Sequence, residues 1–278
     1  LGSTAVGQNA LKTQTTPDWN SAFGYNALMA STTGSGSTAV GAFALGTQTT
    51  PSYNSALGYN AGFNTLTAED CTYLGKSTGF TNSTGDDNTF VGDNAGYYVT
   101  AAQNTALGSA ANSLVGAAAY VNTTALGYEA APSGSNEVTL GNASVTALKC
   151  QVQTVTALSD ERIKENIQPI DLGLRFIKGL KGVSYNKKNP ADWDEDIKEE
   201  RFKGESPDER PEDNDALYRG FIAQEVKALM DAQGVTDWEG WSTDDKGRQN
   251  LGVGALVPVL VKAVQELSAK VAALEAAS

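Results

Sequence analysis

A glycine that returns every 17 residues limits this chain more than any other feature. Gly7, Gly24, Gly41, Gly58, Gly75 and Gly92 keep that spacing; the next steps, to Gly108, Gly127 and Gly141, are 16, 19 and 14. Each glycine closes a short phrase, such as Ser3-Thr4-Ala5-Val6-Gly7, Asn20-Ser21-Ala22-Phe23-Gly24 or Asn104-Thr105-Ala106-Leu107-Gly108. A longer 34-residue unit is also present, since Thr13-Gln14-Thr15-Thr16-Pro17 recurs as Thr47-Gln48-Thr49-Thr50-Pro51. Self-similarity at a fixed period marks a repeat architecture, in which each unit buries its apolar face only against its neighbours. The phrases are β-forming runs, and glycine permits a bend that a Cβ would obstruct. The expectation is an all-β solenoid of short strands over residues 1–141. Stacked turns place Asn20, Asn54 and Asn88 in one column, where they can form a side-chain ladder. The inward residues Ala5, Ala22, Ala39 and Ala56 are too small for a deep core, so association is expected, with a homotrimer as the simplest form. A disordered Gly/Ser/Asn-rich linker is the other reading of such a composition. A linker has no reason to keep a 17-residue period over six turns.

Charge divides the chain. Residues 1–158 hold three lysines and eight acids; residues 159–278 hold 17 basic and 24 acidic groups. Such a step marks a domain boundary, and residues 142–158 read as a β linker, with Val145, Val152 and Val155 among alternating polar residues. The formal net charge of −12 argues against nucleic acid or an anionic membrane as partner. No histidine occurs, which removes Ser-His-Asp and Cys-His catalysis and the commonest metal ligand. Cys71 and Cys150 make neither a disulfide framework nor a metal site. No cofactor is expected, and no run of 18 apolar residues spans a membrane as a helix. The chain begins at Leu1 inside a repeat, so it is expected to be part of something longer.

Beyond the boundary the pattern is that of an α+β domain. Leu172, Phe176, Ile177 and Leu180 give helical spacing over 171–180, and residues 182–185 read as a strand. Residues 189–215 are acidic and contain Pro207 and Pro211; they read as a mobile insertion. Asp192, Asp194 and Asp196 suggest a calcium loop, but Ile197 stands where glycine is needed and Lys203 where glutamate is needed. Phe221, Ile222, Val226, Leu229 and Met230 predict a helix over 220–231. The last helix, over 257–277, starts near Pro258, a good first-turn residue. Its Leu260, Val264, Leu267, Val271 and Leu274 alternate four and three apart, the seam of a short coiled coil. A packing helix within one subunit shows the same pattern.

At the boundary stands Ser159-Asp160-Glu161-Arg162-Ile163-Lys164-Glu165-Asn166-Ile167. Read alone, this is how an ordinary helix begins, with a capping oxygen followed by acids in the first turn. Two resemblances change that reading. The repeats of residues 1–145 resemble the head repeats of trimeric autotransporter adhesins, close to Asn-Ser-x-Ala-Ile-Gly-x-x-Ala, and similar repeats occur in bacteriophage tail fibres. The resemblance implies a trimeric β-roll. Autotransporters end in a membrane barrel, which this chain lacks. The stretch Ser159-Asp160-x-Arg162-x-Lys164-x-Asn166-Ile167 resembles the opening of the intramolecular chaperone domain at the C-termini of phage endosialidases, tailspikes and tail fibres. Two later blocks fit the same family in order: Tyr218-Arg219-Gly220-Phe221-Ile222-Ala223-Gln224-Glu225-Val226, and Leu256 through Leu267. The fit is loosest near Val253, where an aromatic residue is expected.

That second resemblance implies a domain, residues 159–278, that drives trimerisation and then cuts itself off at the Leu158–Ser159 bond with a Ser-Lys pair, Ser159 and Lys164. The chemistry is sound on its own terms. A serine hydroxyl can attack the preceding carbonyl and turn the amide into an ester that water opens. A lysine serves as base when burial or positive charge lowers its pKa from about 10.4. Arg162 can help in that, whereas Asp160, Glu161 and Glu165 oppose it if close. Five residues apart on one helix put the two side chains on different faces, so Ser159 is expected on an extended segment, or the pair forms between subunits. Asp160 and Arg162 either orient the site or are a cap and a surface charge. Gln224 is a candidate polar residue of the site or a surface amide.

The reading is therefore a phage tail fibre or spike component, located in the virion tail. Its repeats are expected to meet a host-surface receptor, a glycan or outer-membrane component, and its chaperone fragment to be released in the host cytoplasm. A bacterial surface adhesin with a retained, uncut C-terminal trimer lock is the alternative. A polysaccharide-degrading spike has no support in 1–158, where no paired carboxylates stand out.

Overall fold

The computed structural model describes residues 2–16, 19–50, 52–113, 119–145, 147–149, 151, 159–198, 215–244 and 246–278. It forms two compact units, Leu1–Thr146 and Ala147–Ser278.

The first unit is the expected solenoid. Strands β1 (Thr4–Val6), β2 (Ser21–Phe23), β3 (Thr38–Val40), β4 (Ser55–Leu57), β5 (Thr72–Leu74), β6 (Thr89–Val91), β7 (Thr105–Leu107), β8 (Thr124–Leu126) and β9 (Val138–Leu140) form one parallel sheet in sequence order. The register places like over like: Ala22 pairs with Ala39, and Ala39 with Ala56. In β2 to β8 the middle residue points inward and is buried. Ala5, in the first turn, is exposed. The recurring glycine lies where one turn rests directly on the next. Gly58 has φ +141°, and a Cβ there would sit 2.3 Å from the carbonyl oxygen of Gly75. No side chain fits such a gap, which explains why the period never loses its glycine. Asn26, Asn60 and Asn94 recur at another left-handed corner, with φ near 55°; asparagine tolerates that region better than most residues.

In several turns the core exchanges bulk between its two sides. Where the strand gives alanine (Ala22, Ala39), the facing corner gives Leu28 and Leu45, both fully buried. Where the strand gives Tyr73 or Phe90, that corner becomes Gly79 or Gly96. A Cβ on Gly79 would lie 2.3 Å from Tyr73 Cε1, and one on Gly96 would lie 2.5 Å from the Phe90 ring. A coil this thin has no room for two large side chains in one of these turns; where both sides are small, at Ala56 and Gly62, Leu45 and Tyr73 of the neighbouring turns take up the space. The Tyr73 hydroxyl accepts a hydrogen bond from Asn82 Nδ2 at 2.8 Å, so its polar end is satisfied inside.

The asparagine column exists but works differently from a direct ladder. Asn20, Asn54 and Asn88 are two turns apart, too far to touch. Each instead bonds the main chain of the next turn: Ser37 N donates to Asn20 Oδ1 at 2.8 Å, Cys71 N to Asn54 Oδ1 at 3.0 Å, and Asn104 N to Asn88 Oδ1 at 2.8 Å. The amide nitrogens of Asn54 and Asn88 bond Ala68 O and Ala101 O at 2.7 and 2.8 Å. Buried main-chain groups at the corners are thereby paired. Cys71 fills one rung, and burial pushes its thiol pKa up, as for a small structural residue. Cys150 lies outside the described residues.

The second unit is α+β. Helix α1 (Leu174–Gly179), hairpin-like pair β10 (Val183–Tyr185) with β11 (Tyr218–Gly220), helix α2 (Ala223–Gln233), hairpin β12 (Trp241–Thr243) with β13 (Gln249–Leu251), and helix α3 (Leu256–Ala276) follow in order. Phe176, Val226, Met230, Trp238, Leu256 and Val259 form its core. Phe176 and Trp238 meet edge to face, 5.2 Å between centroids. Pro258 sits in the first turn of α3, where its missing N–H costs nothing. On the face that carries Val259 and Ala263, Glu266 Oε2 accepts from Leu174 N at 2.9 Å and so caps α1. Of the strand expected over 142–158, residues 146, 150 and 152–158 lie outside the described residues, and the described ones are not in a strand. Of the acidic insertion at 189–215, residues 199–214 likewise lie outside. The hairpin turn after β12 is held by Asp244, whose carboxylate accepts from Lys246 N, Arg248 N and Arg248 Nε at 3.0, 2.9 and 2.6 Å.

Candidate functional site

Ser159 is in neither helix nor strand and directly follows the residues 152–158 that lie outside the described part. Asp160 follows with φ −67° and ψ 135° and caps a single 3-10 turn, Glu161–Ile163. The chain then extends again, with Lys164 at φ −114° and ψ 144°. One tight turn between two extended residues is a U-shape, and it brings together two side chains that a helix would have separated. Lys164 Nζ donates to Ser159 Oγ at 2.7 Å. Leu158, the residue before the expected cut, lies outside the described residues.

The turn is secured by Asp160. Its Oδ1 accepts from Arg162 N and Arg162 Nε, both at 2.9 Å, and its Oδ2 accepts from Arg162 Nη2 at 2.6 Å. This is a two-pronged guanidinium–carboxylate pair on top of a main-chain cap. Hydrogen bonding to the Arg162 side chain, then to its main chain, holds the Asp160 carboxyl below the usual carboxylate range, and Asp160 in turn raises Arg162. The positive charge of Arg162 is therefore spent on Asp160. Every residue from Ser159 to Ile167 is exposed, including the apolar Ile163 and Ile167. Gln224 is exposed on the first turn of α2 and is not among the described hydrogen-bond partners of Ser159 or Lys164. The Ser–Lys pair was implied by the family resemblance; the guanidinium fork was not anticipated, although an Asp-x-Arg step beside a capping position is a usable signal for one.

Among the described residues no group of three or more Cys, Asp or Glu side chains is placed to hold a metal ion, and no helix is long and apolar enough to cross a membrane.

Residues 159–235 match the family model described as the chaperone of endosialidase. The match opens on Ser159 and ends just past α2, so it takes in the first two sequence blocks and stops short of the third, on α3. No curated protein and no solved structure matches the chain. Residues 159–235 are thus similar to that chaperone family, over a little more than a quarter of the chain. Together with the β-solenoid ahead of it, this fits a tail fibre with a C-terminal chaperone domain.

Proposed function

We propose that this chain is a phage tail fibre or spike component whose C-terminal domain assembles three copies, after which Ser159 and Lys164 cut the Leu158–Ser159 bond. The observation that carries the proposal is the 2.7 Å Nζ–Oγ contact at the first residues of the matched domain. In the reacting state the amine is neutral and accepts along that same line. Ser159 Oγ attacks the Leu158 carbonyl carbon, and Lys164 takes the hydroxyl proton. The C–N bond of the peptide breaks as that proton passes to the Ser159 nitrogen, leaving Leu158 esterified to Oγ. Water then opens the ester, giving a Leu158 carboxylate and a free Ser159 hydroxyl and amine.

A lysine needs a low-dielectric or positive surrounding to act as a base at neutral pH. The described site is open to water, so assembly supplies what one chain lacks, and Ile163 and Ile167 are the surfaces a second copy would cover. Two longer apolar rows support the trimer. On the solenoid Val6, Phe23, Val40, Leu57 and Leu74 point outward from successive strands and are exposed. On α3 Leu260, Val264, Leu267, Val271 and Leu274 are exposed, while Leu256, Val259 and Ala263 face the domain core. Rows of this kind bury against copies of themselves. The chaperone aligns three chains, the solenoids form side by side, and the cut makes assembly hard to reverse. The freed repeats remain in the virion tail and meet a host-surface glycan or outer-membrane component, while the chaperone fragment is left in the host cytoplasm.

Sedimentation of the Ser159→Ala protein tests the assembly step. A trimer is expected, and Leu267→Asp together with Val271→Asp should convert it to monomer and stop cleavage in the otherwise unaltered chain. A monomeric parent, or a cleaving monomeric variant, contradicts the proposal. A retained, uncut trimer lock of a surface adhesin would give a trimer that never cleaves.

A further inference from the structure

We infer that Arg162 is a positioning residue that keeps the Asp160 carboxylate away from the lysine base, so that the Ser159–Lys164 pair is free to react. The inference rests on the Ser–Lys reading and assigns a task to two residues that reading leaves idle.

The argument starts from charge. The exposed stretch 159–167 carries four charged groups besides Lys164: Asp160, Glu161, Arg162 and Glu165. An acid beside the ammonium would hold its proton in place and oppose general-base work. Asp160 is the acid nearest the nucleophile, being its immediate neighbour in sequence. All of its described bonds go to Arg162: two from the guanidinium and one from the main chain. A guanidinium is suited to this because its planar fork engages both carboxylate oxygens at once, whereas an ammonium binds as a point charge. The neighbouring lysine is therefore left with Ser159 Oγ as its described partner. The main-chain cap has a separate duty, since it shapes the turn that folds Lys164 back over Ser159. Asparagine at 160 can keep that cap while removing the charge.

The test is cleavage of the full chain followed by intact mass, over a range of pH, in four proteins: the parent, Arg162→Ala, Asp160→Asn with Arg162→Ala, and Ser159→Ala. Arg162→Ala should cut roughly ten-fold more slowly at neutral pH, with its profile moved about one unit to higher pH. Removing the freed carboxylate in the double variant should recover most of the rate and return the profile. Arg162→Ala that cuts like the parent overturns the inference. So does a double variant as slow as Arg162→Ala with an unmoved profile, because then the fork serves only to shape the turn. A Ser159→Ala protein that is still cut at this bond defeats the Ser–Lys reading itself, and that result is distinct from both. Arg162→Lys gives an independent check: it keeps the charge and loses the fork, and should fall between parent and Arg162→Ala.

Discussion

Tyr73→Ala should destabilise the solenoid by about 3–5 kcal/mol, the range for emptying a large buried aromatic site. Tyr73 is 1% exposed and fills a turn whose facing corner is glycine, so nothing nearby can collapse into the space. Its loss also strands Asn82 Nδ2 without the hydroxyl it bonds at 2.8 Å. In a solenoid each turn touches only its neighbours, so a weak fifth turn separates the coil into two shorter stacks. Adding Gly79→Leu should recover much of the loss. That corner is left-handed, with φ +57°, and Leu28 and Leu45 already occupy equivalent corners at φ 48° and 49°. Urea unfolding followed by circular dichroism reads both effects. Gly79→Leu alone should be as damaging as Tyr73→Ala, because leucine and the ring then compete for one site. A double variant no more stable than Tyr73→Ala would contradict the volume exchange.

Lys164→Met should leave the chain uncut on any practical timescale. Loss of a positioned general base costs on the order of 10²–10⁴ in rate, and the described partner of the nucleophile is this amine alone. Methionine keeps the length and apolar bulk of the side chain while removing the nitrogen. Lys164 is exposed, so the substitution disturbs no packing, and sedimentation should match that of the Ser159→Ala protein. Cleavage at the parental rate would dismiss the lysine and leave the Ser159 hydroxyl to some other base.

Much of the fold was legible because a strict period carries its own geometry. Gly58 over Gly75 leaves no room for a Cβ, so a residue-level rule was visible as a count of 17. The exchange of Ala39 and Leu45 for Tyr73 and Gly79 was equally present in the letters. It stayed hidden because it joins positions on opposite sides of the coil, whose facing depends on where each corner turns. Asn20, Asn54 and Asn88 gave the right column and the wrong bond, because a 34-residue spacing spans two turns and the main chain of Ser37 or Cys71 comes between. At the site, Ser159 and Lys164 were singled out by the family pattern, and the structure sets their side chains 2.7 Å apart. The Asp160–Arg162 fork was not, since a helix cap and a surface charge are written with the same residues. Helix α3 showed its outward seam in the sequence, yet its inward task, Glu266 capping α1, needs a partner 92 residues away.

Intact mass under denaturing conditions, for the parent and for Ser159→Ala, tests the central claim most directly. The parent should give two fragments, the smaller running from Ser159 to Ser278, and the variant should give one uncut chain. One uncut chain from both proteins would contradict self-cleavage, and a parent cut at any other bond would contradict the assignment of Ser159.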